Sequence, residues 1–126
     1  NGGIQTYDDV RAMMETGGVA GVLVGQAAIG NPFLFLEFLA AQSGGPAEGA
    51  VPLHQRFALL REHTRMIVEY YGELVGMRRL RKYIPSYVKG LPNSAAFRGQ
   101  ANRLDRQADF LSLLTDFESH KGSSLA

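Results

Sequence analysis

The chain has 126 residues, with 45% apolar and 20% charged side chains, which excludes wholesale disorder and suits one domain or one domain joined to a piece of another. It has no cysteine, which excludes disulfides, thiolate metal sites and a cysteine nucleophile and fits a reducing, cytoplasmic compartment. The net charge of +1 conceals a sorting: residues 1–52 carry −4, residues 53–106 carry +7 from eleven basic and four acidic groups, and residues 107–126 carry −2. Charge divided this way suggests a polyanion partner for the middle segment, and a solvated helix surface is the plainer alternative.

In chain order, Asn1-Gly2-Gly3-Ile4 reads as a turn. Thr6 with Asp9 forms a capping-box pattern, and Val10, Met13 and Met14 predict a helix to about Thr16, stopped by Gly17-Gly18. Gly21 to Gly25 encloses Val22-Leu23-Val24, which predicts one buried strand. Ala27 to Gly30 reads as a helical turn. Pro32 then opens a helix that carries Phe33, Leu34, Phe35, Leu36, Phe38 and Leu39. That helix is apolar nearly all round, so it is expected to be sandwiched. No apolar run is long enough to span a membrane.

Residues 44–52 are rich in Gly, Pro and Ala and read as a linker between residues 1–43 and a helical domain over 53–118. From Leu53 the spacing predicts a helix to Gly72, with one stripe at Leu53, Phe57, Leu60, Ile67 and Tyr71 and a second at Leu59, Met66 and Tyr70. A second helix is expected over about Glu73 to Tyr83, ended by Pro85. Asn93 or Ser94 should cap a third, with Phe97 and Ala101 inward. Gln107 to Glu118 makes a fourth, and residues 119–126 a frayed tail. One strand cannot make a sheet. The fold class is therefore mostly α: a strand–helix remnant of a larger α/β fold, followed by a bundle of about four helices.

Two features bear on chemistry. The glycine turns at Gly2-Gly3 and Gly21–Gly25 lead toward helices, and glycine lets backbone N–H groups approach an anion. Such turns follow strands 7 and 8 in (β/α)8 barrels, where they commonly hold a phosphate, although two unrelated turns would look the same. The second feature is Arg78, Arg79, Arg81 and Lys82 on one helix, with Lys89 and Arg98 shortly after and Tyr83 and Tyr87 interleaved. Basic groups neutralise phosphates and tyrosines stack on unpaired bases, but Tyr87 suits a core position as well. Of the three histidines, His63 lies between the apolar stripes and is expected to be a satisfied core or boundary residue. None has a metal-like partner.

The run Asn1-Gly2-Gly3-Ile4, then Gly21-Val-Leu-Val-Gly25-Gln26-Ala27-Ala28-Ile29-Gly30-Asn31-Pro32-Phe33-Leu34-Phe35, resembles the end of the barrel in tRNA-dihydrouridine synthases. Arg81-Lys82-Tyr83-Ile84-Pro85-Ser86-Tyr87-Val88-Lys89-Gly90 resembles a later basic segment of that family. The resemblance extends to about Phe117 and implies the last βα units of a (β/α)8 barrel followed by a C-terminal helical domain. It implies a parent enzyme that reduces uridine in tRNA with FMN and NADPH. Asn1, Gly2, Gly3, Gly25 and Gln26 would share the FMN phosphate. Arg78, Arg79, Arg81, Lys82, Tyr87, Lys89 and Arg98 would face the tRNA. Gln26 stands where the family has arginine and Tyr83 where histidine is common. The catalytic cysteine would lie upstream, so this piece alone is expected to be inactive, not to retain FMN, and to self-associate through residues 1–42. The glycine turns alone are shared with other flavin barrels. A helical protein-interaction domain of another flavin-dependent oxidoreductase is the alternative.

Overall fold

A computed structural model describes residues 3–25, 28, 33–45 and 51–124, with side chains described to residue 120. The chain forms two compact units, Asn1–Pro52 and Leu53–Ala126.

The first unit contains α1 (Tyr7–Gly17) and α2 (Leu34–Gln42). The Thr6 hydroxyl accepts from the Asp9 amide, and the Asp9 carboxylate accepts from the Gln5 and Thr6 amides at 2.9 and 3.0 Å. These amide bonds hold the Asp9 carboxyl below its usual range. Asp thus fills the place that Glu or Gln usually takes in a capping box. Gly18, at φ 62°, ends the helix in the left-handed region. The Tyr7 and Phe38 rings, 6.1 Å apart, join α1 to α2.

Two expectations for this unit are corrected. No strand forms at Gly21–Gly25, or elsewhere among the described residues, and Leu23 is 74% exposed. A single extended segment has no ladder partner to hydrogen-bond and no second layer to bury its side chains. The α2 helix is not sandwiched either: Phe33 and Leu34 are buried, but Phe35, Leu36 and Leu39 are each more than half exposed. The expected helical turn at 27–30 and the Asn31-Pro32 start lie outside the described residues, apart from Ala28, whose amide donates to the Gly25 carbonyl at 3.1 Å.

The second unit comprises α3 (Leu53–Tyr71), α4 (Glu73–Leu80), α5 (Ile84–Val88), α6 (Ser94–Ala101) and α7 (Gln107–Ser124). Phe57, Leu60, Thr64 and Ile67 form the buried stripe of α3. Thr64 is tolerated there because its hydroxyl donates to the Leu60 carbonyl at 2.7 Å. Phe97 of α6 stacks on Phe117 of α7 at 4.4 Å and leans on Phe110 at 6.2 Å, while Phe57 meets Phe117 edge-on at 5.9 Å. These rings, with Leu60, Met77, Leu80, Ile84, Val88 and Leu114, make the core. Arg61 pairs with Glu118 at 3.0 Å across α3 and α7, and Glu73 accepts the Gln107 amide at 2.9 Å, placing a carboxylate at the start of α7.

Several boundaries differ from expectation. The second predicted helix is two: α4 stops at Leu80, a turn spans 81–83, and Pro85 sits in the first turn of α5 rather than ending a helix. Proline lacks an N–H, which the first turn of a helix does not need. Asn93 precedes α6 at φ 62° and makes no side-chain cap bond. The α7 helix continues through Ser124, past the expected end at Glu118. The second stripe expected on α3 is not core, because Met66 and Tyr70 face solvent and Tyr70 is 81% exposed.

At the α3–α4 corner, Gly72 takes φ 84° and donates to the Val68 carbonyl at 2.8 Å. Gly76 is buried where α4 crosses α3. A Cβ there would lie 2.7 Å from the Ile67 carbonyl oxygen and 2.9 Å from the Val68 Cα. Both are backbone atoms, so relief would require the helices to separate. Gly76→Ala should therefore destabilise the protein by about 1–3 kcal/mol, whereas Gly99→Ala, on α6 with open space around its Cβ position, should stabilise it by roughly 0.5–1 kcal/mol. Urea unfolding of both variants checks this contrast.

Candidate nucleic-acid interface

The basic residues of 78–98 lie on three elements and the turns between them. Met77 and Leu80 point into the core, and the helical period therefore turns Arg78 and Arg79 outward. Asp105 gathers two of the cations: its Oδ1 lies 2.8 Å from Arg81 Nη2 and 3.4 Å from Arg78 Nε. Arg81 is the more buried of the pair and also donates to the Leu104 carbonyl at 3.4 Å. Its Nε is buried with no hydrogen-bond partner among the described residues. The Arg79 guanidinium lies 4.3 Å over the Tyr71 ring, and the Lys82 ammonium 5.4 Å from the Tyr83 ring. Cation–π contact fixes a cation's position without cancelling its charge. Arg79, Lys82, Lys89 and Arg98 have no carboxylate partner among the described residues, and all four are exposed.

Lys89 and Arg98 come together. They line a cavity of about 300 Å³ with Pro85, Ser86, Val88, Gly90 and Ser94, where α5 turns back into α6. Gly90 at φ 81° makes that turn. Ser86 and Ser94 were not singled out by the sequence. A lone serine carries little signal until folding places it on the same cavity as two cations.

Tyr87 is corrected. It is 2% exposed, so it offers no face to a base in this structure. Its hydroxyl lies 2.9 Å from His63 Nδ1, and the Tyr83 and Tyr87 rings flank the imidazole at 5.0 and 5.9 Å. Burial pushes the Tyr87 phenol up to about 12 and holds the His63 imidazole below its ordinary value of 6.5. Burial favours the neutral imidazole, and its Nδ1 shares this hydrogen bond with the phenol. His63 is therefore a satisfied boundary histidine, as its position between the stripes suggested. Tyr83 remains partly exposed.

Of the expected phosphate-binding residues, Asn1, Gly2 and Gln26 lie outside the described residues. Gly3, at φ 79°, and Gly25 are exposed, and nothing lies within 4 Å of a Cβ built on either. Their backbones are open to an approaching anion, which is compatible with a phosphate. Among the described residues no group of His, Asp and Glu could hold a metal ion, and no described helix is long and apolar enough to cross a membrane.

Residues 1–121 match the family described as Dihydrouridine synthase (Dus). The chain belongs to the dihydrouridine synthase family. It is 37% identical over 116 residues to a "Probable tRNA-dihydrouridine synthase" of Mycobacterium tuberculosis, covering 92% of this chain and 30% of that protein. It is 36% identical over 104 residues to "tRNA-dihydrouridine synthase B" of Pseudomonas aeruginosa, covering 82% of this chain and 31% of that protein. The protein of the same name in Pseudomonas putida is 33% identical over 124 residues, covering 98% and 37%. The chain thus spans about a third of the length of these curated relatives. The family is the one that the Gly21–Phe35 run and the basic segment after it resemble.

The His63 pair sets a pH dependence. Its folded-state value is depressed, so the unfolded chain binds the proton more readily. The stability it contributes is intact above pH 6.5 and is lost as pH falls through the lowered folded value. Unfolding free energy should decline on acidification from pH 6.5 toward 5, before carboxylates titrate, and His63→Gln should flatten that slope. A pH series of denaturant melts reads both.

Proposed function

We propose that this chain is the C-terminal part of a tRNA-dihydrouridine synthase and supplies its tRNA-gripping helical domain together with part of the FMN-phosphate site. The parent would be an oxidoreductase that reduces uridine in tRNA to 5,6-dihydrouridine with FMN and NADPH. Family membership and the names of the relatives support the activity. The observation that carries the RNA role is the exposed, carboxylate-free set Arg79, Lys82, Lys89 and Arg98 on a folded helical unit.

On this reading residues 1–43 belong to the barrel, 44–52 link it to the helices, and 53–118 hold the RNA. FMN, when bound, supplies the hydride chemistry. The open backbone at Gly3 and Gly25 would hold its phosphate, with Asn1, Gly2 and Gln26 completing the cradle. Gln26 can donate a hydrogen bond but adds no charge. The chain has no cysteine, so a cysteine proton donor must come from the rest of the parent. The basic surface would then hold tRNA by its phosphates, so that the target uridine stays at the barrel. Tyr83, partly exposed beside Lys82, is the aromatic placed to meet a base or sugar.

Replacing Arg79 and Lys82 with glutamine in the full-length protein should weaken tRNA binding about tenfold at physiological salt and make the salt dependence shallower. A filter-binding titration across salt concentrations measures this. Unchanged affinity and slope would remove this surface from the RNA interface.

The exposed Leu23, Phe35, Leu36 and Leu39 support self-association of the isolated chain through residues 1–42. Sedimentation velocity should show a concentration-dependent dimer that Phe35→Glu with Leu39→Glu disperses. A monodisperse monomer at all concentrations would contradict it.

A further inference from the structure

We infer that the notch between α5 and α6 is a single phosphate site, in which Lys89 and Arg98 close on one backbone phosphate of the RNA with the Ser86 and Ser94 hydroxyls as additional donors. The inference rests on the RNA-binding reading above and refines it from separate surface cations to one built anchor.

This part of the basic surface is concave. The cavity, about 300 Å³, is at the small end of ligand-site volumes and opens at the surface. Its lining residues include Lys89, Arg98, Ser86 and Ser94 and no acidic residue. Several other cations of this unit are compensated: Arg61 faces Glu118, Arg65 faces Glu62 and Glu69, and Arg78 and Arg81 share Asp105. The Arg98 side chain donates from Nε to the Ser94 carbonyl, at 3.4 Å on its own helix. That contact steers the guanidinium along α6 and leaves both Nη groups for a ligand. Lys89 has no carboxylate partner among the described residues.

The two cations suit one anion because they differ. Arginine presents a planar fork that fits two phosphate oxygens, and lysine adds a point charge that adjusts to the third direction. Serine hydroxyls rotate to donate where an oxygen remains. Gly90 lines the notch in the left-handed region with nothing near its Cβ position, so the turn keeps one wall low and leaves access from solvent.

The test separates one phosphate from two. Each phosphate neutralised contributes about 0.9 to the salt slope of binding on duplex nucleic acid. tRNA binding to the full-length protein would be measured across salt for Lys89→Gln, Arg98→Gln and the double variant. The 126-residue chain would be titrated with inorganic phosphate and followed by amide NMR. The inference predicts that phosphate shifts the amides around Ser86, Lys89 and Ser94. It also predicts about tenfold weaker tRNA binding in each single variant, and a slope reduced by about one in the double as in the singles. A double variant whose slope falls by about two would place the side chains on separate phosphates and overturn the single site. Phosphate shifts with unchanged tRNA slopes would keep the anion site but assign it to free phosphate rather than RNA. Phosphate shifts in a protein whose wild type does not bind tRNA would leave the notch standing and sink the RNA reading. No shift and no change in slope would overturn the inference altogether.

Discussion

The missing side chain at Gly76 sets the geometry on which the basic surface depends. There the backbone of α4 reaches that of α3 at a distance that admits no Cβ. Close approach fixes the rotation of α4 about its own axis. Met77 and Leu80 then fall into the core, Arg78 and Arg79 face water, and Arg81 sinks far enough to meet Asp105. Rotating α4 by one residue, roughly 100°, would bury a guanidinium and expose a leucine. Gly72, in the left-handed region at the corner, lets the chain reverse in time for this contact.

Pairing thins the positive charge of the helical unit. Arg61 and Arg65 serve contacts within and between helices, and Arg78 and Arg81 hold the turn before α7 through Asp105. Exposed pairs of this kind contribute little to stability, but they remove charge from the far field and fix where the remainder lies. Among the cations left without a carboxylate are Arg79 and Lys82, held beside tyrosine rings, and Lys89 with Arg98, which line one cavity. A surface with a few uncompensated cations at fixed positions can select a phosphate spacing, which a uniformly charged one cannot.

The helices with strong local signals were legible in the sequence. The Thr6–Asp9 box and Gly18 mark α1, and Gly72 marks the end of α3. What failed were judgements about partners. Val22-Leu23-Val24 has the composition of a strand but no strand to pair with among the described residues, and Leu23 at its centre is exposed. Met66 and Tyr70 have helical spacing, yet periodicity does not reveal which apolar stripe another helix will cover. Tyr87 looked available for RNA beside its basic neighbours. The core took the ring, and His63 took the hydroxyl. Pro85 read as a stop because its place in a first turn depends on the 81–83 turn, which has no strong signal of its own. At the candidate interface the cations were legible by type. The compensation of Arg78 and Arg81 by a residue more than twenty positions away was not, nor was the meeting of Lys89 with Arg98 across the Gly90 turn.

The most direct measurement of the central claim is photo-crosslinking of the full-length protein to unmodified tRNA, with crosslinked peptides mapped by mass spectrometry. The account predicts crosslinks within residues 79–98, centred on Lys82, Tyr83 and Lys89. Crosslinks confined to other parts of the protein, with this segment silent, would contradict it.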